Sequence, residues 1–300
     1  YKAFDLYFES KDIELNDLNR VCKKDLNIKS YIKIIRDDLF FSRYKELLNK
    51  KEFYNNLGNN FLININNSIY FNILKDNVIW GINSSFKYDE NYIKAYLLGS
   101  VMATLLMQRD RLVLHGNALH KDGRTIACLG SSGTGKSTLA YFLMNNGWDL
   151  ISDDLLAINK HGEIYPGINR IKLDKKCKDF LKIDDSSLIY QGDNIKKYCL
   201  KSRLISYCSF KTKINQIYIL HKDKSLFNKN SDALIDIPNQ KCENLLLRFN
   251  IFRPELSKIL NNEGRDFRYL IDLQKQIKIK VLKLPPSLNE MKKFVKDISL

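Results

Sequence analysis

The segment Gly130-Ser131-Ser132-Gly133-Thr134-Gly135-Lys136-Ser137 fits the pattern G-x-x-x-x-G-K-[ST] in full, and it constrains this chain more than any other feature. An apolar run, Arg124 to Leu129, leads straight into it, and a helical stretch from Lys136 to about Asn146 follows, closed by Gly147. Glycines at these positions let backbone N–H groups wrap around phosphate oxygens, while the helix N-terminus adds its positive dipole. Gly130 to Ser137, with Thr138 behind them, are therefore expected to form a phosphate cradle. Lys136 is expected to reach the outer phosphates of a nucleotide and the Ser137 hydroxyl to hold Mg²⁺. A glycine turn that merely joined strand to helix would not need Lys-Ser at that point.

Trp148 to Ser152 reads as the next strand and delivers Asp153-Asp154 at its end, where ligands of α/β sheets bind. One carboxylate can take a proton from an attacking hydroxyl and its neighbour can hold Mg²⁺. Adjacent strand residues face opposite ways, so both can act only where the strand has bent. Upstream, Leu112 to His120 and Arg124 to Leu129 flank Asp122-Gly123, a hairpin signal that places His115 beside the loop. An imidazole there can tune an aspartate or orient an acceptor.

Composition narrows the class. With 44% hydrophobic residues the chain can build a core, and its longest uncharged apolar run, residues 95–107, is short of the roughly 20 residues a membrane helix needs. No membrane association is expected. Six scattered cysteines form no Cys-x-x-Cys pair, and no basic-then-apolar leader is visible, so a cytoplasmic location is expected. The 49 Lys and Arg against 34 Asp and Glu give a net charge of +15, which suits phosphorylated or acidic ligands. Nucleic acid is not expected, since no RNP-type aromatic motif or zinc-finger spacing accompanies the charge. Arg170, Lys172, Arg248 and Arg253 are candidates for gripping a phosphate or an acceptor carboxylate.

Residues 1–88 alternate short β-like stretches (3–8, 61–65, 69–73, 78–82) with loops and one helix at about 37–48, and read as a small α+β domain. Asp89 looks like the N-cap of a helix from Glu90 to about Arg109 and opens a second domain, residues 89–300. Within it, 155–159 and 163–165 flank a His161-Gly162 turn, 216–221 and 277–284 read as strands, and 222–240 reads as an exposed loop. Ser287 with Glu290 makes a capping box for a last helix.

The succession Leu112-Val113-Leu114-His115-Gly116, then Gly130 to Ala140, then Gly147-Trp148-Asp149-Leu150-Ile151-Ser152-Asp153-Asp154 resembles the core of the HPr kinase/phosphorylase superfamily. Tyr165 to Leu173 and Val281 to Pro286 resemble a following loop and strand and the last strand of such enzymes. The opening, Tyr1 to Leu18, resembles the small N-terminal domain of the HPr-kinase-like group found beside ribosomally made peptides such as lasso peptides. The resemblance implies an α/β fold with the P-loop, HPr-kinase-like (phosphoenolpyruvate-carboxykinase-like) mixed sheet, and a serine kinase using ATP and Mg²⁺ on a peptide or protein acceptor. It implies Asp153 as base, Asp154 as a metal-site carboxylate with Ser137, and His115 as partner of the base. The segment Glu-x-Arg-Gly-Leu-Gly does not follow the aspartates, so HPr as acceptor and the reverse phosphorylase reaction are not implied.

Two other classes fit the same residues: a small-molecule kinase of the shikimate or free-serine type, and a non-catalytic nucleotide-binding regulatory module. Assembly into a homo-oligomer is compatible with either.

Overall fold

The computed structural model describes residues 1–21, 31–44, 52–83, 88–183, 186–192, 195–200, 205–222, 233–298 and 300. Cys22, residues 45–48 of the expected first helix, and most of the expected loop at 222–240 lie outside them. The chain forms two compact units, Tyr1–Asp110 with Arg253–Gly264, and Arg111–Phe252 with Arg265–Leu300. No helix among the described residues is long and apolar enough to cross a membrane.

The first unit holds a seven-stranded mixed sheet. Its strands are β1 (Lys2–Ala3), β2 (Leu6–Ser10), β3 (Ile32–Arg36), β4 (Tyr54–Asn56), β5 (Phe61–Ile65), β6 (Ile69–Ile73) and β7 (Asn77–Ile82), in the order β1-β2-β3-β7-β6-β5-β4. The stretch expected as one strand at 3–8 breaks at Phe4 and Asp5, both at positive φ (54° and 63°), the torsions that a two-residue hairpin turn demands. β5 and β6 are buried at every position, as in a strand covered on both faces, and each carries one buried asparagine, Asn64 and Asn72, among its apolar residues. Asn66 and Asn67 (φ 50° and 56°) turn between them. Gly81 marks a close approach: a Cβ there would stand 2.2 Å from the Cβ of Phe40.

Asp89 caps the helix Glu90–Tyr96 by accepting from the Asn91 N–H, and the helix continues through a π-turn, Leu97–Val101, into Met102–Met107. It belongs to the first unit, so the division falls after Asp110, not at the residue 89 suggested by the sequence. The packing explains this: Tyr54 donates its hydroxyl to Ser100 Oγ at 3.2 Å, and the Phe53 and Tyr96 rings lie 6.3 Å apart.

The second unit is mixed α/β. Its main sheet comprises β8 (Leu112–Lys121), β9 (Arg124–Leu129), β10 (Asp149–Ile158), β11 (Glu163–Ile164), β15 (Thr212–Lys213), β16 (Gln216–His221), β17 (Leu234–Asp236) and β18 (Lys278–Lys283). The order is β15-β11-β10-β8-β9-β16-β18-β17, while β12 (Lys172–Asp174), β13 (Ser186–Gly192) and β14 (Ile195–Leu200) make a small separate sheet. β9, β16 and β18 run parallel, and their flanks are antiparallel. Asp122 (φ 48°) and Gly123 (φ 78°) make the two-residue turn between β8 and β9 that the sequence signals.

Alternation along the strands sends side chains to two separate cores. Ile126 and Cys128 pack on one face with Leu119, Leu139, Leu150 and Met291. Ala127 and Leu129 pack on the other with Leu114, Leu247, Leu270 and Leu273. The helices Lys136–Met144 and Leu288–Asp297 thus cover the first face, and Gln240–Arg248 and Glu263–Gln276 the second. The capping box at Ser287 and Glu290 is formed as expected.

Candidate functional site

The loop between β9 and the helix Lys136–Met144 takes its shape from backbone torsions that glycine tolerates. Gly135 sits at φ 101° immediately before the helix, and a Cβ on Gly130 (φ 156°) would stand 2.9 Å from Thr134 Oγ1. Thr134 closes the loop by donating Oγ1–H to the Ser131 carbonyl at 2.9 Å. Lys136 is buried, and its ammonium donates to the carbonyl oxygens of Gly130 (2.6 Å) and Ser131 (2.9 Å), so the charge is held inside the curve of the loop. Ser131, Ser132 and Gly133 form its exposed tip. Thr138 turns away from the tip, donating to Cys177 Sγ at 3.6 Å.

β10 does not end at Ser152 but runs through both aspartates to Ile158. Its register against β8 shifts between Leu150 and Ser152, and Asp154 adopts φ 76° inside the strand. A left-handed residue of this kind is one of the few ways a strand can aim neighbouring side chains at one place. Asp153, buried, accepts from Ser137 Oγ at 3.2 and 3.3 Å and from the Lys172 N–H at 3.3 Å. Asp154, with 27% of its side chain exposed, accepts from the Lys172 ammonium. His115 lies within β8, opposite Leu155, with Nδ1 3.1 Å from the Asp154 carbonyl oxygen and 3.6 Å from Asp154 Oδ1. Both neighbours of Nδ1 are acceptors, so Nδ1 carries the hydrogen and Nε2 the lone pair.

Electrostatics sets the two carboxylates apart. Burial, and then the charge of Asp154, push Asp153 up to about 6 against the pull of Lys172 and Ser137. Burial also disfavours an ionised Asp154, but the Lys172 ammonium, with His115 and Arg170, overrides it and holds that carboxyl well below the usual carboxylate range. The His115 ring is pushed below its ordinary value by burial and then by Lys136, with Asp154 pulling the other way.

The structure therefore brings Lys136, Ser137, Asp153, Asp154, Lys172 and His115 together, and joins Ser137 to Asp153 rather than to Asp154. Arg170 is buried within electrostatic reach of Asp154. Arg248 is not part of the group: it is exposed, its guanidinium 5.9 Å from the Phe267 ring, on a helix covering the opposite face of the sheet. Arg253 belongs to the first unit, where it precedes the helix Pro254–Ile259 at φ 47° and lies 4.0 Å from Glu255. Asn117, which no sequence motif marks, pairs with Asp153 across β10 and with Cys128 across β9.

Among the described residues no three His, Cys, Asp or Glu side chains gather into a metal cage. A donor set of one hydroxyl and one or two carboxylates suits Mg²⁺, which keeps waters and shares its sphere with substrate phosphates. The loop likewise fits a polyphosphate, with a buried ammonium and a helix N-terminus converging on its inner side.

No protein-family model matches the sequence, and no curated protein matches it. Among solved structures, the Hpr(Ser) kinase/phosphatase from Coxiella burnetii is similar at 11% identity, covering 62% of this chain and 94% of its own, with a TM-score of 0.30. A likeness that low does not speak for function, which depends on particular side chains in particular places.

Proposed function

We propose that the second unit is an ATP- and Mg²⁺-dependent phosphotransferase acting on an alcohol, the serine hydroxyl of a peptide or protein. The observation that carries this reading is the hydrogen bond from Ser137 to Asp153 at 3.2 Å, which ties the loop to the strand bearing both carboxylates. P-loop nucleotide sites hold their metal between a loop hydroxyl and a strand aspartate in this way.

On this reading the loop N–H groups and Lys136 bind the phosphates, Lys136 exchanging the Gly130 and Ser131 carbonyls for phosphate oxygens. Ser137 and Asp153 hold Mg²⁺, which when bound neutralises charge on the transferring group. Asp154 is more exposed than Asp153 and stays ionised, and His115 presents the lone pair of Nε2, so this pair receives the proton of the attacking hydroxyl. The hydroxyl oxygen bonds to the γ-phosphorus as the bond to the bridging oxygen breaks and ADP leaves. Lys172 and Arg170 supply positive charge beside that transfer.

A second reading makes Asp153 the base, because an acid near 6 is well matched to proton transfer at neutral pH. Comparison of Asp153→Asn with Asp154→Asn separates the two.

Serine as acceptor draws its support from the sequence resemblance across residues 112–154 and at the chain opening. The experiment is an ADP-release assay with serine-containing peptides, free serine and small alcohols. Stimulation by the peptides supports the proposal, and stimulation by small alcohols alone replaces it with a small-molecule kinase. Nucleotide binding with no stimulation points to a regulatory module.

A further inference from the structure

Asn117 lies in the interior of β8 with its Cα opposite that of Asp153 on one side and that of Cys128 on the other. Residues directly opposed in antiparallel strands share a face, with Cβ atoms about 4.5–5.5 Å apart. Asn117 therefore projects on the face covered by the helix Lys136–Met144, between the Asp153 carboxylate and the apolar side chains of Cys128 and Leu119.

The side chain is fully enclosed, and neither Oδ1 nor Nδ2 has a hydrogen-bond partner among the described residues. Other buried polar side chains of this sheet are paired. Thr125 meets His120 and Thr212, Ser152 donates to the Leu155 carbonyl, and Gln216 donates to the Lys278 carbonyl. A buried amide with nothing to bind is disfavoured against an apolar residue of similar size, so the fold alone gives no reason for asparagine here.

We propose that Asn117 is a positioning residue for Asp153: its amide N–H donates to the Asp153 carboxylate when that group engages the metal ion of a bound metal–nucleotide. The inference rests on the phosphotransferase reading and names a residue outside the loop motif. An ionised carboxylate is an acceptor only, with room for more hydrogen bonds than Ser137 and the Lys172 N–H supply. A third donor, on the rigid neighbouring strand, fixes the plane of the carboxylate and so the direction of its free lone pairs.

Asn117→Thr and Asn117→Val test this, because the two replacements share shape and strand preference and differ by one hydroxyl donor. Calorimetric binding of a non-hydrolysable ATP analogue is measured with Mg²⁺ and again with EDTA. Asn117→Val is expected to lose at least tenfold of the Mg²⁺-dependent gain in affinity while matching wild type in EDTA. Asn117→Thr is expected to stay within about threefold of wild type under both conditions. Asn117→Val is also expected to melt at or above the wild-type temperature without nucleotide.

Equal Mg²⁺-dependent affinity in Thr and Val variants, with wild type binding normally, overturns the role of Asn117 and leaves the phosphotransferase reading standing. No Mg²⁺-dependent binding by wild type overturns both. If neither variant folds, the asparagine is structural and the inference falls.

Discussion

Asp154 holds a left-handed backbone (φ 76°) inside strand β10, and its carboxylate meets the ammonium of Lys172. The N–H of the same lysine donates to Asp153, so one residue of β12 holds both carboxylates in place. This arrangement assigns different consequences to the loss of each.

Asp154→Asn preserves shape and tolerates positive φ, so binding of Mg–ATP should remain within a few fold of wild type while kcat falls by roughly 10²–10⁴. Asp153→Asn should instead weaken Mg²⁺-dependent nucleotide binding. Steady-state kinetics with calorimetry decides, and the reverse pattern makes Asp153 the base.

Lys136→Ala removes the ammonium that would follow charge on the transferring phosphoryl group. Turnover should drop by about three orders of magnitude or more. Circular dichroism should show the fold intact, and near-normal turnover would end the nucleotide-site assignment.

The raised Asp153 has a cost in stability that can be measured in metal-free protein. The folded state holds its proton up to about pH 6, whereas an unfolded aspartate releases it near 3.8. Wild type therefore loses stability from this group as pH rises through that interval, by roughly 1–3 kcal/mol. His115, whose folded value is depressed, contributes with the opposite sign, being destabilising as pH falls. The difference between Asp153→Asn and wild type isolates the aspartate. Urea unfolding in EDTA should show the variant gaining on wild type between pH 4 and pH 7.5, and a constant difference would contradict the raised value.

Gly81→Ala addresses the first unit. The new methyl would stand 2.2 Å from the Cβ of Phe40, which lies in a cluster with Leu62 and Tyr70 and has no room to retreat. A loss of about 2 kcal/mol or more is expected, read as a lowered melting temperature.

What was legible in the sequence was local. The loop, the Asp-Gly hairpin and the Ser287 capping box each depend on residues within a few positions of one another, and strands β5 and β6 have the bounds, 61–65 and 69–73, that the sequence signals. Strand geometry requires a bend if both aspartates are to face one place, but its form, a positive φ at Asp154 within a strand that stays paired with β8, has no signature in the sequence. Lys172 was one of several basic candidates. Only the return of the chain past Ser152, where the Ile168 N–H meets Ser152 Oγ and the Gly167 N–H meets the Ile151 carbonyl, sets it apart from Arg248. Asn117 was invisible because an asparagine in a strand looks the same whether solvated or sealed.

The parallel pairing of β9 with β16 bears on the order in which the chain can be built. β8, β9, the loop helix and β10 are contiguous, so the hairpin and both aspartates emerge from a ribosome together, with short-range contacts to guide them. Ile126 and Leu129, however, find their other neighbours only at Gln216 and Ile219, and these in turn pair with Lys278 and Val281. During synthesis the strand that feeds the loop is thus an open edge until Gln216–His221 has emerged, and that strand is in turn an open edge until Lys278–Lys283 follows.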